Sequence, residues 1–393
     1  MRRPVTGPQL ICLLLLAVAF PAFTGGRSVT GDVIASGFGD IPVYTARTAA
    51  GTGADSNNGS RGSAADRNLA QPFGVDIGPD GCLYITEVGH HRVWRLNRVD
   101  DTMTVVAGNG QKGYSGDGGS ATAAAMNEPY EVRFDAAGNL FVVEMMNHIV
   151  RRIDRKSGNI TTIAGTGTSG FSGDGGPATA ATLASPHGIV FDSAGRLDIA
   201  DIGNHRIRQV DLNSGLITTL AGDGRVVPPT DGGPISGSPL PGPRALAVTG
   251  DSLWVALREG HALWRIDLVA GTLHHVAGAG QPGFTGDGGP AKSATFNGPK
   301  GLAADAAGNL FIVDSENDAV RRYDLSRQVI TTIGGHGRSG RFDGDGGPAA
   351  KASFSQPHGI CVAADGTVFV ADTLNHRVRS LHQSAERFSS IVP

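Results

Sequence analysis

A proline heads an apolar run six times along this 393-residue chain, at Pro72, Pro129, Pro186, Pro243, Pro299 and Pro357. The spacings are 57, 57, 57, 56 and 58 residues. A fixed period of that length means one supersecondary unit used repeatedly. The third unit is the clearest: His187–Asp192, Arg196–Asp201, His205–Asp211 and Leu216–Gly222 are runs rich in Val, Ile, Leu and Thr, separated by Ser193-Ala194-Gly195, Ile202-Gly203-Asn204 and Leu212-Asn213-Ser214-Gly215. Short β-rich runs joined by Gly and Asn turns predict four antiparallel strands. A Gly-rich loop follows, then Pro177-Ala178-Thr179-Ala180-Ala181, where a proline start suits one helical turn.

One four-stranded sheet cannot bury both faces alone, whereas six arranged radially cover one another and leave few edges. The expected fold is therefore all-β, a six-bladed β-propeller of four-stranded antiparallel blades spanning residues 43–393 as one domain. Glycine, 59 of 393 residues, stands at about twice its usual ~7% share, which suits so many tight turns. Two segments compete to supply the outer strand of the last blade: Phe388-Ser389-Ser390-Ile391 aligns with Ile217–Leu220, and Ala46–Gly51 also matches a fourth strand. Residues 25–42 read as an extended lead-in.

Met1-Arg2-Arg3, the apolar run Leu10–Phe20 and Ala17-Val18-Ala19 have the layout of a secretory signal peptide, assigned to residues 1–24. The run is shorter than the ~20 residues a spanning helix needs, so a secreted or periplasmic protein with no membrane span after cleavage is expected. Cys82 and Cys361 remain after that cleavage and are expected as two separate buried thiols. A formal charge of −3 supplies no field to hold a phosphate backbone, which argues against nucleic acid as the partner.

The tripeptides Asn147-His148-Ile149 and Asn204-His205-Arg206, with the linkers Gly170–Ala178 and Gly283–Ala291 of pattern G-[FY]-[ST]-G-D-G-G-P-A, resemble NHL-repeat proteins of the secreted bacterial type. The resemblance implies the propeller fold. It leaves activity open, because such propellers serve as binding platforms, sensor ectodomains and, occasionally, enzymes.

Features common to the blades read as scaffold. His91, His148, His205, His261 and His376 share one register, which points to packing or hydrogen bonding near the loop between second and third strands. Glu87, Glu144, Asp201, Asp314 and Asp372 end the second strands, where they either cap the following turn or form a negative rim. The linker aspartates Asp117, Asp174, Asp231, Asp287 and Asp345 stand alone among glycines, which is too few oxygens for calcium.

The residue after each repeat proline varies: Phe73, Tyr130, His187, Arg244, Lys300 and His358. Opening the innermost strand, this column should surround the mouth of the central channel. In the fourth blade Leu257 replaces the strand-ending acid and Arg258-Glu259 follow, so Arg244 is expected to lack a partner in its own blade and to be free to meet an anion. In the zinc-dependent peptide-amidating lyases that share this repeat, the same column supplies three His from alternate blades. Here the alternate sets are Phe73, His187, Lys300 and Tyr130, Arg244, His358, one His each, so no three-His zinc site results. The sugar-lactone hydrolases resemble the chain in fold only, and the column has no carboxylate for their divalent ion. No catalytic set, metal or cofactor is expected. Two functions remain: a monomeric binding or scaffolding module for a protein, glycan or cell-surface partner, or a small-molecule binder or enzyme taking an anionic ligand at the channel mouth.

Overall fold

A computed structural model describes residues 42–337 and 342–387, with side chains through residue 384. The proposed signal segment and nearly all of the lead-in lie outside the described residues, as does the strand candidate at 388–391.

Six antiparallel sheets form the structure, five of four strands and one of five. In the third blade the strands are Pro186–Phe191, Leu197–Asp201, Arg206–Asp211 and Leu216–Ala221, paired in sequence order from inside to outside. The first blade adds a short outer strand, Arg61–Ser63, beside Thr102–Ala107. Inner strands of successive blades touch one another around the ring, the sixth returning to the first.

Between each pair of neighbouring blades lies one buried apolar cluster. Phe141 and Val143 of the second blade, for example, pack with Ile189, Leu197 and Ile199 of the third. Second strands such as Leu197–Asp201 and Leu310–Asp314 are buried at every residue, because both of their faces meet a neighbouring sheet. Apart from the closing acid, and Asp198 in the third blade, those runs are accordingly apolar without strict alternation. Cys82 and Cys361 are both free and buried.

The N-terminal strand supplies the outer edge of the last blade. Pro42–Ala50 pairs antiparallel with Arg377–Arg387, in the slot that the fourth strand fills elsewhere. The last sheet therefore runs from the start of the propeller to its end, which ties the ring shut and covers an edge that would otherwise be open.

The short helical segments are single 3-10 turns such as Ala178–Ala180, with Pro177 just ahead of the turn rather than inside it. Among the described residues no helix is long and apolar enough to cross a membrane.

Candidate functional site

The recurring histidines tie each blade to the next. Each sits in the left-handed region, with φ between 45° and 55°. That geometry turns its Nδ1 toward the backbone N–H just ahead of the next blade's proline. Nδ1 accepts from Glu128 (His91, 3.3 Å), Ser185 (His148, 3.0 Å), Gly242 (His205, 3.1 Å), Gly298 (His261, 3.1 Å) and Gln71 (His376, 3.2 Å). In the fifth blade Asp318 takes the same position and its Oδ1 accepts from Gln356 at 2.6 Å. An acceptor at Nδ1 fixes the neutral tautomer, so these rings are structural staples.

The strand-ending acids are not a negative rim. Glu87, Glu144, Asp201, Asp314 and Asp372 are fully buried, and each accepts from a backbone N–H ahead of its own blade's proline, as Asp201 does from Ala184 at 2.7 Å. In four blades a buried arginine of the third strand joins that acid to the linker aspartate. Arg208 reaches Asp174 at 2.8 Å and Asp201 at 3.6 Å, and Arg151, Arg321 and Arg379 repeat the arrangement. The linker aromatic covers the guanidinium, as Phe171 does over Arg208 at 4.9 Å. The linker aspartate is thus one end of a clamp as well as part of a Gly turn. Sequence reasoning missed the arginine, although it recurs in register.

The variable column converges on the axis. In blades one to five the inner ladder shifts register just after its proline, between Pro243 and Ala245 for example, and such a bulge re-aims the intervening side chain out of the ladder. Inner strands also approach closely: a Cβ on Gly301 would lie 2.2 Å from the His358 carbonyl, and one on Gly359 2.2 Å from that of Phe73. The narrow channel is stoppered by rings in contact. Phe73 lies 4.0 Å from His358 and 4.4 Å from Tyr130, and Tyr130 lies 4.8 Å from His187, centroid to centroid. The space left among the six residues is about 10 Å³, room for one water at most.

Above this stopper lies a basin of about 340 Å³. Tyr130, His187, Arg244, Lys300 and His358 line it, together with His205, Arg258 and Glu259. Phe73 contributes to the stopper and is absent from the basin wall.

Charges in the basin are unequally compensated. Lys300 pairs with Glu316 at 2.7 Å, and Arg258 with Glu259 at 3.0 Å. Arg244 is only 6% exposed. Among the described residues its guanidinium has no hydrogen-bond or ion-pair partner, and its Nε is buried and unsatisfied. Its contact with an aromatic face, 5.3 Å above the Tyr130 ring, offsets part of the lost hydration. That desolvation pulls its pKa down to about 10. Burial, with Arg244 and Lys300 adding to it, holds His358 well below the ordinary imidazole value. Its Nδ1–H donates to the Gln356 carbonyl at 2.8 Å, and that of His187 to the Ser185 carbonyl at 2.6 Å. Among the described residues neither ring's Nε2 has a hydrogen-bond partner.

The two imidazoles that a zinc reading would need together are separated along the ring stack by Phe73 and Tyr130. Among the described residues no group of three or more His, Cys, Asp or Glu side chains converges as a metal site would require.

Blades closed by an N-terminal strand, a stoppered channel and a cationic basin at its mouth define a six-bladed β-propeller with a surface-facing axial site. An NHL repeat model matches residues 354–379, and over most of its length the chain is similar to NHL repeat-containing proteins. It is 27% identical over 335 residues to NHL repeat-containing protein 2 of Bos taurus, covering 76% of this chain and 44% of that protein. It is 26% identical over 322 residues to protein SUPPRESSOR OF QUENCHING 1, chloroplastic, of Arabidopsis thaliana, covering 79% of this chain and 30% of that one. The chain thus spans less than half the length of these curated relatives. Among solved structures, an auxiliary nutrient binding protein of Bacteroides thetaiotaomicron superposes with TM-score 0.62 at 15% identity, over 88% of this chain and 77% of that one.

Proposed function

We propose that this protein is a ligand-binding propeller that receives an anionic group in the basin at its channel mouth. The observation that carries the reading is Arg244, a guanidinium 6% exposed and without an anionic partner among the described residues. A charge held out of water unpaired is costly, and such an arrangement is sustained where a ligand completes it. The remaining wall is rich in groups that orient an oxyanion: the Lys300 ammonium, Arg258 at the rim and the Tyr130 hydroxyl. The ring stack beneath makes the basin a dead end, so the ligand enters from solvent. It is a free acid or an acidic group displayed by a protein or glycan partner, and the anion is the shared chemistry.

Titration with acetate and phosphate followed by calorimetry tests this. Arg244→Met keeps the volume and removes the charge. A loss of about tenfold or more in affinity is expected, the usual weight of one charge-assisted hydrogen bond. Equal binding by both proteins would refute the reading.

The basic start and the Leu10–Phe20 run support export from the cytoplasm. Sequencing the N-terminus of the protein recovered from the extracytoplasmic fraction should find residues 1–24 removed, and intact Met1 there would count against it.

A further inference from the structure

The fourth blade departs from the others where it meets the basin. At the clamp position of the third strand stands Trp264, in register with Arg208 and Arg321 and with Trp94 of the first blade; the first blade keeps its acid, Glu87, which accepts from Trp94 Nε1 at 2.7 Å, whereas here Leu257 replaces it. The clamp's central arginine and its inner acid have thus become apolar together. The linker aspartate of this blade, Asp231, instead accepts from the His275 backbone at 3.0 Å and pairs with Lys292 at 3.0 Å. The linker aromatic is also gone, and Arg225-Val226-Val227-Pro228-Pro229 stands in its place.

These changes leave a cavity of about 290 Å³. Its wall includes Val227, Pro228, Pro229, Pro241, Leu257 and Trp264. Val226 and Val227 are 56% and 47% exposed, unusual for Val, and no side chain of the described residues fills the space between them and Trp264. The cavity adjoins the anion basin: Glu259 lines both. Arg258 and Glu259 form the turn between Leu257 and Gly260, so the charged rim of one recess is continuous with the apolar wall of the other.

We infer that the ligand is an amphipathic carboxylic acid, its carboxylate on Arg244 in the basin and its apolar body in the fourth-blade cavity beside Trp264 and Val227. This rests on the anion reading above and adds the class of ligand. A planar carboxylate matches the paired donors of a guanidinium. The volume beyond the Glu259 turn accommodates about eight methylenes or a phenyl group, and each buried methylene strengthens binding by up to about fourfold. As the carboxylate settles, it competes with Glu259 for Arg258, which would open the divide between the two recesses.

The test compares butyrate, octanoate and glucuronate by calorimetry on the full protein, as wild type, Val227→Asp and Arg244→Met. Val227 is exposed, so its substitution leaves the fold intact, and a thermal melt checks this. Octanoate is expected to bind at least about tenfold tighter than butyrate, and Val227→Asp should remove that difference. If octanoate and butyrate bind alike, or glucuronate binds more tightly than octanoate, the apolar assignment is overturned and the anion reading stands. If none of the acids binds wild type better than Arg244→Met, both fall.

Discussion

The guanidinium of Arg244 lies 5.3 Å over the ring of Tyr130, and that ring is itself wedged between Phe73 at 4.4 Å and His187 at 4.8 Å. One aromatic face therefore does two jobs, closing the channel beneath and partly compensating a buried cation above. Tyr130→Phe keeps the face and should change stability by under about 0.5 kcal/mol. Tyr130→Leu removes it and should cost about 1–2 kcal/mol, from lost ring contacts and the exposed cation. Urea unfolding of the two variants separates these outcomes.

The clamp predicts an asymmetry between its two ends. Arg208 and Asp201 are fully buried, whereas the side chain of Asp174 is 41% exposed. Arg208→Met strands a buried carboxylate and should destabilise by about 3–5 kcal/mol. Asp174→Ala leaves the arginine its inner partner and should cost about 1 kcal/mol. Equal losses in denaturant unfolding would contradict the clamp.

His148 joins the second blade to the third through Ser185. His148→Ala removes that hydrogen bond and places Ala at φ 55°, for a combined cost of about 1–3 kcal/mol. His148→Asp copies Asp318 of the fifth blade and should recover most of it. Burial holds the folded-state pKa of His148 below its ordinary 6.5. The neutral form is therefore favoured by folding, and this contribution is present above the unfolded value and lost as pH falls through it and then through the folded value. His148→Asp should be less sensitive than wild type to a shift from pH 7.5 to 5 in chemical denaturation.

Asp198 predicts the opposite slope. It is fully buried where other blades carry Phe141, Phe311 or Phe369. One oxygen accepts from Gln209 at 2.8 Å and the other has no partner. Burial, reinforced by nearby Asp192, pushes its pKa up to about 7. The folded state then binds the proton more tightly than the unfolded chain, so stability falls as pH rises from about 4 to 7 and is flat beyond. The drop is on the order of 4 kcal/mol. Asp198→Asn should remove this component and be the more stable protein at pH 8, by the same unfolding measurement.

The sequence made the ring, the blade boundaries and the column facing the axis legible, because six copies of one pattern expose both the building rule and its exceptions. Pro186-His187-Gly188 shows why: the proline heads the strand in every blade, the glycine, present in four of the six, admits the neighbouring backbone, and the middle residue changes its chemistry from blade to blade. Leu257 points to Arg244 for the wrong reason: the acids it replaces are buried in the clamp, and the column's Lys300 pairs with Glu316 and not with its blade's Asp314. What could not be read was contact between distant positions. The Phe73–Tyr130 stopper joins residues 57 apart in sequence, and the choice of Pro42–Ala50 as closing strand depends on which end reaches the slot. The arginine clamp was visible as recurrence but without a partner, since Arg208 and Asp174 are 34 residues apart. Arg258 and Glu259 were seen only as a departure from pattern, and their place on the basin wall follows from the turn that carries them.

On the proposed function, Arg244 is held at a cost to the empty protein because a bound anion compensates it. Unfolding of wild type and Arg244→Met with and without octanoate tests this most directly. The empty variant should be the more stable by about 1–3 kcal/mol, and octanoate should raise the melting temperature of wild type alone. A variant less stable than wild type, with no ligand-dependent shift in either protein, would contradict it.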